Sequence, residues 1–321
     1  MRITIQALLG LVCCIAIGSP ASAAWPEDKP IEIVVGFAAG GTTDVMARKL
    51  ALVMQKRLGE KVTFVIVNKP GASGEIALGY LARAAGDGYT IGVVNVPSYL
   101  FLPMTKKAQY DPGDFKLIAR VVDDPTILLV KADSKFASLG DLMKVLREKP
   151  GSLTFGHNGT GTNGHLAIRQ IDEAAKVEIN EIPYKGNAAQ KTDLLGGHLD
   201  VAIVSAGEVP ELHGGNASDT KAIAQLTKAR SKALPNVQTA EEAGVAAFMS
   251  SERGFAAPKD VPDAIVKRLE EVIAESLRDP EFVASSPGDA PVLAYMSGAD
   301  WQVSLAENAK TLRVLIDKMP K

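Results

Sequence analysis

The residues best suited to chemistry stand in one run, Gly40-Gly41-Thr42-Thr43-Asp44. Two adjacent glycines let the backbone turn sharply and let a ligand approach it closely. Threonine and aspartate carry the side-chain oxygens that cap helix N-termini by accepting from orphan backbone N–H groups. A helix N-terminus behind a glycine turn is a ready site for a small anion, since its N–H groups and its macrodipole point the same way. Asp44 reads most simply as the cap, with Arg48 neutralising it as an i,i+4 pair. The plainer reading of these residues is an ordinary turn between a strand and a helix.

Other chemistries find no support. Gly156-His157-Asn158-Gly159-Thr160-Gly161-Thr162-Asn163-Gly164 is a second glycine-rich loop, but it fails as a dinucleotide fingerprint. Its sixth position is wrong, and no acidic residue follows a strand about 20 residues on. No phosphate-binding G-x-x-x-x-G-K-[ST] in the right setting is present. His157, His165, His198 and His213 include no i,i+4 pair, so each reads as a solvated or hydrogen-bonding residue and not a metal ligand. His165, beside the second loop, has the further reading of touching a ligand or bracing that loop. Without a G-x-S-x-G elbow, Ser205, Ser250 and Ser251 read as hydrogen-bond donors at strand ends. No cofactor and no metal are expected.

The elements that must position these loops alternate. Strands are expected at 31–35, 62–67, 90–94, 127–130, 153–155, 179–182 and 199–204. Helices are expected at 44–58, 75–84, 139–148, 165–175, 187–195, 261–278 and 301–319. This alternation is the mark of an α/β protein with a mostly parallel sheet and helices on its faces. Strand, polar glycine loop and helix recur at 36–44 and 156–165. Ligands of open α/β sheets bind outside the carboxyl ends of the strands, where such loops sit. Two such units closing on a small molecule would move about a hinge.

Residues 1–23 have the form of a secretory signal: Arg2, an apolar core at 7–17, and Ala21-Ser22-Ala23 as a cleavage site. The core is well short of the ~20 residues a spanning helix needs. Cys13 and Cys14 both lie in this leader, so the mature chain is expected to hold no disulfide, thiolate metal site or cysteine nucleophile. The net charge of −2 is spread over mixed signs, with no basic block for nucleic acid and no polybasic stretch for a membrane surface.

Several motifs together carry a family resemblance. They are GFAAGGTTDVMAR at 36–48, VIVNKPGASG at 65–74, GDGYT at 86–90, the stretch from Pro150 to Leu166, and the stretch from Ile182 to Gly197. Ala229-Arg230-Ser231, Leu234-Pro235-Asn236-Val237 and Glu242-Ala243-Gly244 add to them. The chain resembles the Bug (TctC) family of periplasmic solute-binding receptors of tripartite tricarboxylate transporters. That resemblance implies a two-lobed periplasmic binding protein fold, type II-like, with a ligand cleft between two α/β domains. The domains would comprise residues 24–124 with 250–321, and 125–249.

A non-enzymatic, monomeric, periplasmic receptor is implied, working with membrane permease subunits and not with nucleic acid. Its ligand would be a small carboxylate: di- or tricarboxylic, aromatic or amino acid. One wall would comprise Phe37, Gly40, Gly41, Thr42, Thr43 and Asp44; the other His157, Asn158, Thr160, Gly161, Thr162 and Asn163; Asn95, Ser98 and Ser205 would complete it. Three departures from the family pattern bear on the ligand. Gly36 and Ala38-Ala39 stand in place of prolines, Glu252-Arg253 interrupts the usual S-S-W-x-G, and Ser205-Ala206-Gly207 lacks a common aspartate, which suits an anion. A sensor for a signalling partner and an α/β enzyme are the alternative readings.

Overall fold

The computed structural model describes residues 25–212 and 215–319; the leader with Cys13 and Cys14, and also His213, lie outside the described residues. The chain opens with β1 (Ile31–Val35), α1 (Thr42–Leu58), β2 (Phe64–Asn68), α2 (Glu75–Ala82), β3 (Thr90–Val96) and α3 (Ser98–Thr105). β1 pairs in parallel with β2 on one side and β3 on the other. Apolar side chains on successive turns of α1 (Met46, Leu50, Met54) pack with Ile31, Ile33 and Val35 of β1. This is the burial that makes a marginal isolated helix stable.

Next comes β4 (Phe115–Lys131), a 17-residue strand of which the sequence pattern predicts only the far end. The strand changes partners midway. Residues 115–125 pair antiparallel with β9 (Ser250–Pro258), and 126–131 pair antiparallel with β7 (Val201–Ser205) and β8 (Thr220–Gln225). Pro125, which has no N–H to donate, falls at this switch, where a strand tolerates it. Between them lie α4 (Leu139–Glu148), β5 (Thr154–His157), α5 (Asn163–Ala175), β6 (Asn180–Pro183) and α6 (Asn187–Gly196). β5 pairs in parallel with β6 and β7.

The chain returns through β9, then α7 (Asp263–Ser276), α8 (Pro280–Ser285), β10 (Leu293–Ser297) and α9 (Gly298–Lys318). The architecture is thus α/β, but the sheet is mixed and not mostly parallel, because the long β4 and β9 run antiparallel to their neighbours. Separate cores form around β1 with α1 and α7, and around β5 with α4 and α5. A third gathers Tyr99, Phe101 and Trp301 with Leu166 of α5.

Helix starts differ in capping, and α7 begins without a side-chain cap, at Pro262. Ser138, Asp279 and Ser297 cap α4, α8 and α9 with side-chain oxygens. The five helices that follow the carboxyl ends of β1, β2, β3, β5 and β6 begin at Gly41, Gly74, Pro97, Thr162 and Gly186, none with a side-chain cap. First-turn N–H groups have no partner within their own helix, so a start that neither a side chain nor a neighbouring turn satisfies leaves donors open; at α2 the 72–74 turn takes Glu75 N.

Candidate ligand-binding site

The first loop is built around Asp44. Its helix begins at Thr42, with Gly41 as the N-cap residue, so Asp44 is not the cap the sequence predicts. It sits inside the first turn, buried, and reaches back instead. Oδ2 accepts from Gly40 N at 2.8 Å and Arg48 Nε at 2.9 Å, while Oδ1 accepts from Asn68 Nδ2 at 2.9 Å. Asn68 Nδ2 also donates to Phe37 O at 3.1 Å. One carboxylate therefore sets the shape of residues 37–40 from below, and the predicted pair with Arg48 is present. Burial raises the carboxyl's pKa, but the hydrogen bonds from Arg48, Gly40 and Asn68 together outweigh it and hold it below the usual range. Gly40 and Gly41 are exposed, while Thr42 is half-buried and Thr43 is buried.

Asn95 and Ser98 belong to the same cluster. Asn95 Nδ2 donates to Thr43 Oγ1 at 3.2 Å, and Ser98 Oγ donates to Asn95 O at 3.0 Å. This ties the start of α1 to the start of α3.

The second loop is held from inside by its histidines. Gly159 N donates to His157 Nδ1 at 3.1 Å and Gly161 N to His165 Nδ1 at 3.2 Å. The Gly161 N–H is thus already engaged, and of the readings open for His165 the geometry supports bracing. Burial lowers the pKa of both rings; for His165, burial and then neighbouring His157 bring it to about 4. With Nδ1 unprotonated each ring can accept from its amide, as an imidazolium could not. Thr162 Oγ1 donates to Gly159 O at 2.7 Å, and Asn158 Oδ1 accepts from Gln190. Asn163 Nδ2 donates to Thr126 Oγ1 at 2.8 Å and Ser205 Oγ at 3.2 Å, joining α5 to β4 and β7. Thr160 remains exposed.

Two residues outside the expected walls, Ser73 and Phe101, join the loops. Ser73, at φ +54°, donates through Oγ to Thr160 O at 2.8 Å. Phe101 of α3 packs edge-on to His165 with ring centroids 5.9 Å apart. A Cβ on Gly161 (φ +78°) would lie 2.4 Å from the Phe101 ring, and one on Gly159 (φ +112°) 3.0 Å from Ser73 Oγ. On the other side, a Cβ on Gly36 would lie 2.8 Å from Gly74 Cα. The 71–74 turn therefore bridges the first loop to the second. Ser73 sits within the turn-rich NKPGASG, where its type gives a signal; Phe101 gives none, because a buried aromatic on a helix reads as core. Ser73→Ala removes one neutral hydrogen bond, worth about 0.5–1.5 kcal/mol. Thermal unfolding should show a loss of stability of that size, with the fold intact.

Glu252 and Arg253 do not pair with each other. Glu252 accepts from Trp301 Nε1 at 2.6 Å and Asn308 Nδ2 at 3.0 Å, and Arg253 turns to Asp124. Among the described residues, no three His, Cys, Asp or Glu side chains gather as a metal site, and no helix is long and apolar enough to cross a membrane.

Solved structures similar to this chain include periplasmic binding proteins. Periplasmic binding protein BugD matches with TM-score 0.80 and 28% identity, covering 91% of this chain and 97% of its own. R. palustris Rpa4515, solved with adipate, matches with TM-score 0.82 and 28% identity over 92% and 98%. Fold and loops thus define a periplasmic solute-binding protein. The family model described as tripartite tricarboxylate transporter family receptor (TctC) matches residues 46–319, and the chain belongs to that family. Among curated relatives, Protein BugT of Bordetella pertussis is 34% identical over 297 residues, 90% of this chain and 89% of its own.

Proposed function

We propose that this chain captures a small carboxylate between two lobes, residues 24–124 with 250–321 and residues 125–249, and delivers it unchanged to membrane permease subunits. One carboxylate group of the ligand sits between the first-turn N–H groups of α1 and α5. Gly40, Gly41, Thr42 and Thr43 form one wall, Asn158, Thr160, Thr162 and Asn163 the other, with Asn95, Ser98 and Ser205 behind them. Phe37, His157, Gly161 and Asp44 shape these walls. The receptor acts as a monomer in the periplasm after its leader is removed near Ala23.

One observation carries this reading: uncapped starts of α1 and α5 stand at the carboxyl ends of their strands, and the 71–74 turn joins their loops. Open N–H donors and aligned dipoles favour an anion there without a salt bridge. The similar protein Rpa4515 holds adipate, a dicarboxylate, which agrees with this ligand class.

A thermal-shift screen tests it. Adipate, a tricarboxylate, an aromatic carboxylate and an amino acid are compared with a sugar and an amine. At least one carboxylate should raise Tm and be recovered chemically unchanged, since a ligand that binds only the native state stabilises it. A shift with the sugar or amine alone contradicts the ligand class, and turnover contradicts the receptor role.

A further inference from the structure

Arg253 lies on β9 opposite Val122 of β4, with 1% of its side chain exposed. Its Nη2 donates to Asp124 Oδ2 at 2.7 Å, and Asp289 Oδ1 stands 3.5 Å away. Its buried Nε has no hydrogen-bond partner among the described residues. Fully buried Asp124 also accepts from Gly207 N at 2.9 Å. The 206–208 turn continues to Glu208, whose carboxylate accepts from Ser205 N at 2.8 Å. A Cβ on Gly207 would lie 2.6 Å from Gly288 O, so this turn and the segment carrying Asp289 pack backbone to backbone.

The cluster therefore joins both crossing strands to one turn from each side of the switch in β4. It also touches the candidate site. Thr126, two residues beyond Asp124, and Ser205, two before Gly207, both receive Asn163 Nδ2.

Two carboxyl groups, Asp124 and Asp289, lie within 3.5 Å of the Arg253 guanidinium, and Glu208 acts on it from farther away. The charges near Asp124 are Arg253 from β9, Glu208 from the 206–208 turn and Asp289 before β10, with Lys49 of α1 acting on Asp289. Burial pushes Asp124 up to about 7; Arg253 opposes this, and Glu208 and Asp289 add repulsion. Burial likewise raises Asp289 and Glu208. A surplus of buried negative charge is relieved by taking up a proton.

Resting on the lobe-closure reading above, we propose that Asp124 and Arg253 are positioning residues whose cluster takes up a proton as the loops close, so that carboxylate capture strengthens as pH falls through neutrality. Opening parts the 206–208 turn from the segment carrying Asp289 and admits water, which returns the carboxyl groups toward their ordinary values. The closed state then holds more protons, and by linkage lower pH favours closure.

The test compares wild type with Asp124→Asn from pH 5 to 8 by thermal unfolding and by calorimetry with adipate. An acid whose folded pKa is raised stabilises the fold at low pH and loses that contribution as pH rises to the folded value. Wild-type Tm, taken relative to the variant, should fall by several degrees over this range; the subtraction removes the opposite contribution of the histidines. Wild-type affinity for adipate should rise about tenfold from pH 8 to 6, one pKa unit of coupling, while the variant stays flat. Should Asp124→Asn not fold, Asp289→Asn keeps both hydrogen bonds of Asp124 and removes a repelling charge, so its pH midpoint should move down. Parallel profiles for wild type and variant, or an unmoved midpoint, overturn the inference even if adipate binds. No binding by adipate or any other carboxylate overturns the receptor reading on which it rests, whatever Tm does.

Discussion

Gly161→Ala is expected to fold and to lose about 10- to 100-fold in carboxylate affinity. Two effects act at this position and can be separated. The left-handed backbone, φ +78°, strains any L side chain by about 1–2 kcal/mol in open and closed states alike, which lowers Tm. The added Cβ also meets the Phe101 ring at 2.4 Å, where the second loop packs on α3. Overpacking of this kind costs about 1–3 kcal/mol, and under the proposed lobe closure it falls on the ligand-bound state. A double-mutant cycle makes the distinction: Phe101→Leu in the Gly161→Ala background should restore affinity without restoring Tm. If both recover together, or neither does, Gly161 is not at a closing contact.

Asp44→Ala should weaken binding more than any other single change in the first loop. Removing a buried carboxylate that holds Gly40 N, Arg48 Nε and Asn68 Nδ2 leaves donors without partners beneath the loop. Breaking such a pair costs about 3–5 kcal/mol, less here because Arg48 is half exposed and reaches water. The folded pKa is lowered, so this stability is present above the ordinary carboxylate range and is lost as pH falls through the folded value. Wild type should therefore lose stability in acid more steeply than the variant. Urea unfolding at neutral and acid pH measures this, and equal acid sensitivity would contradict the role given to Asp44.

The two loops were legible because their residues have few other uses. Apolar runs ending in Gly36 and Gly156, followed by polar small residues and then helical period, specify strand, turn and helix locally. What stayed hidden depends on partners distant in the chain. Asp123-Asp124-Pro125 has the composition of a turn, yet it lies inside β4, because Asp124 is paired with Arg253 across the sheet. No strand is expected over Ser250–Arg253 either, and it forms the start of β9. The short apolar α3 carries Pro103 and resembles a strand as much as a helix. Asp44 reads as a cap because a cap and an inward-reaching carboxylate differ by a few residues of helix start. Ser73 and Phe101 matter only through the loop that meets them, and residue type does not encode that meeting.

Amide NMR during titration with adipate, or with the carboxylate that raises Tm most, tests the central claim directly. Two loops holding one acid group through main-chain donors predict that the largest shifts fall jointly on residues 40–44 and 158–163. Shifts confined to one of these stretches, or centred elsewhere on the molecule, would contradict it.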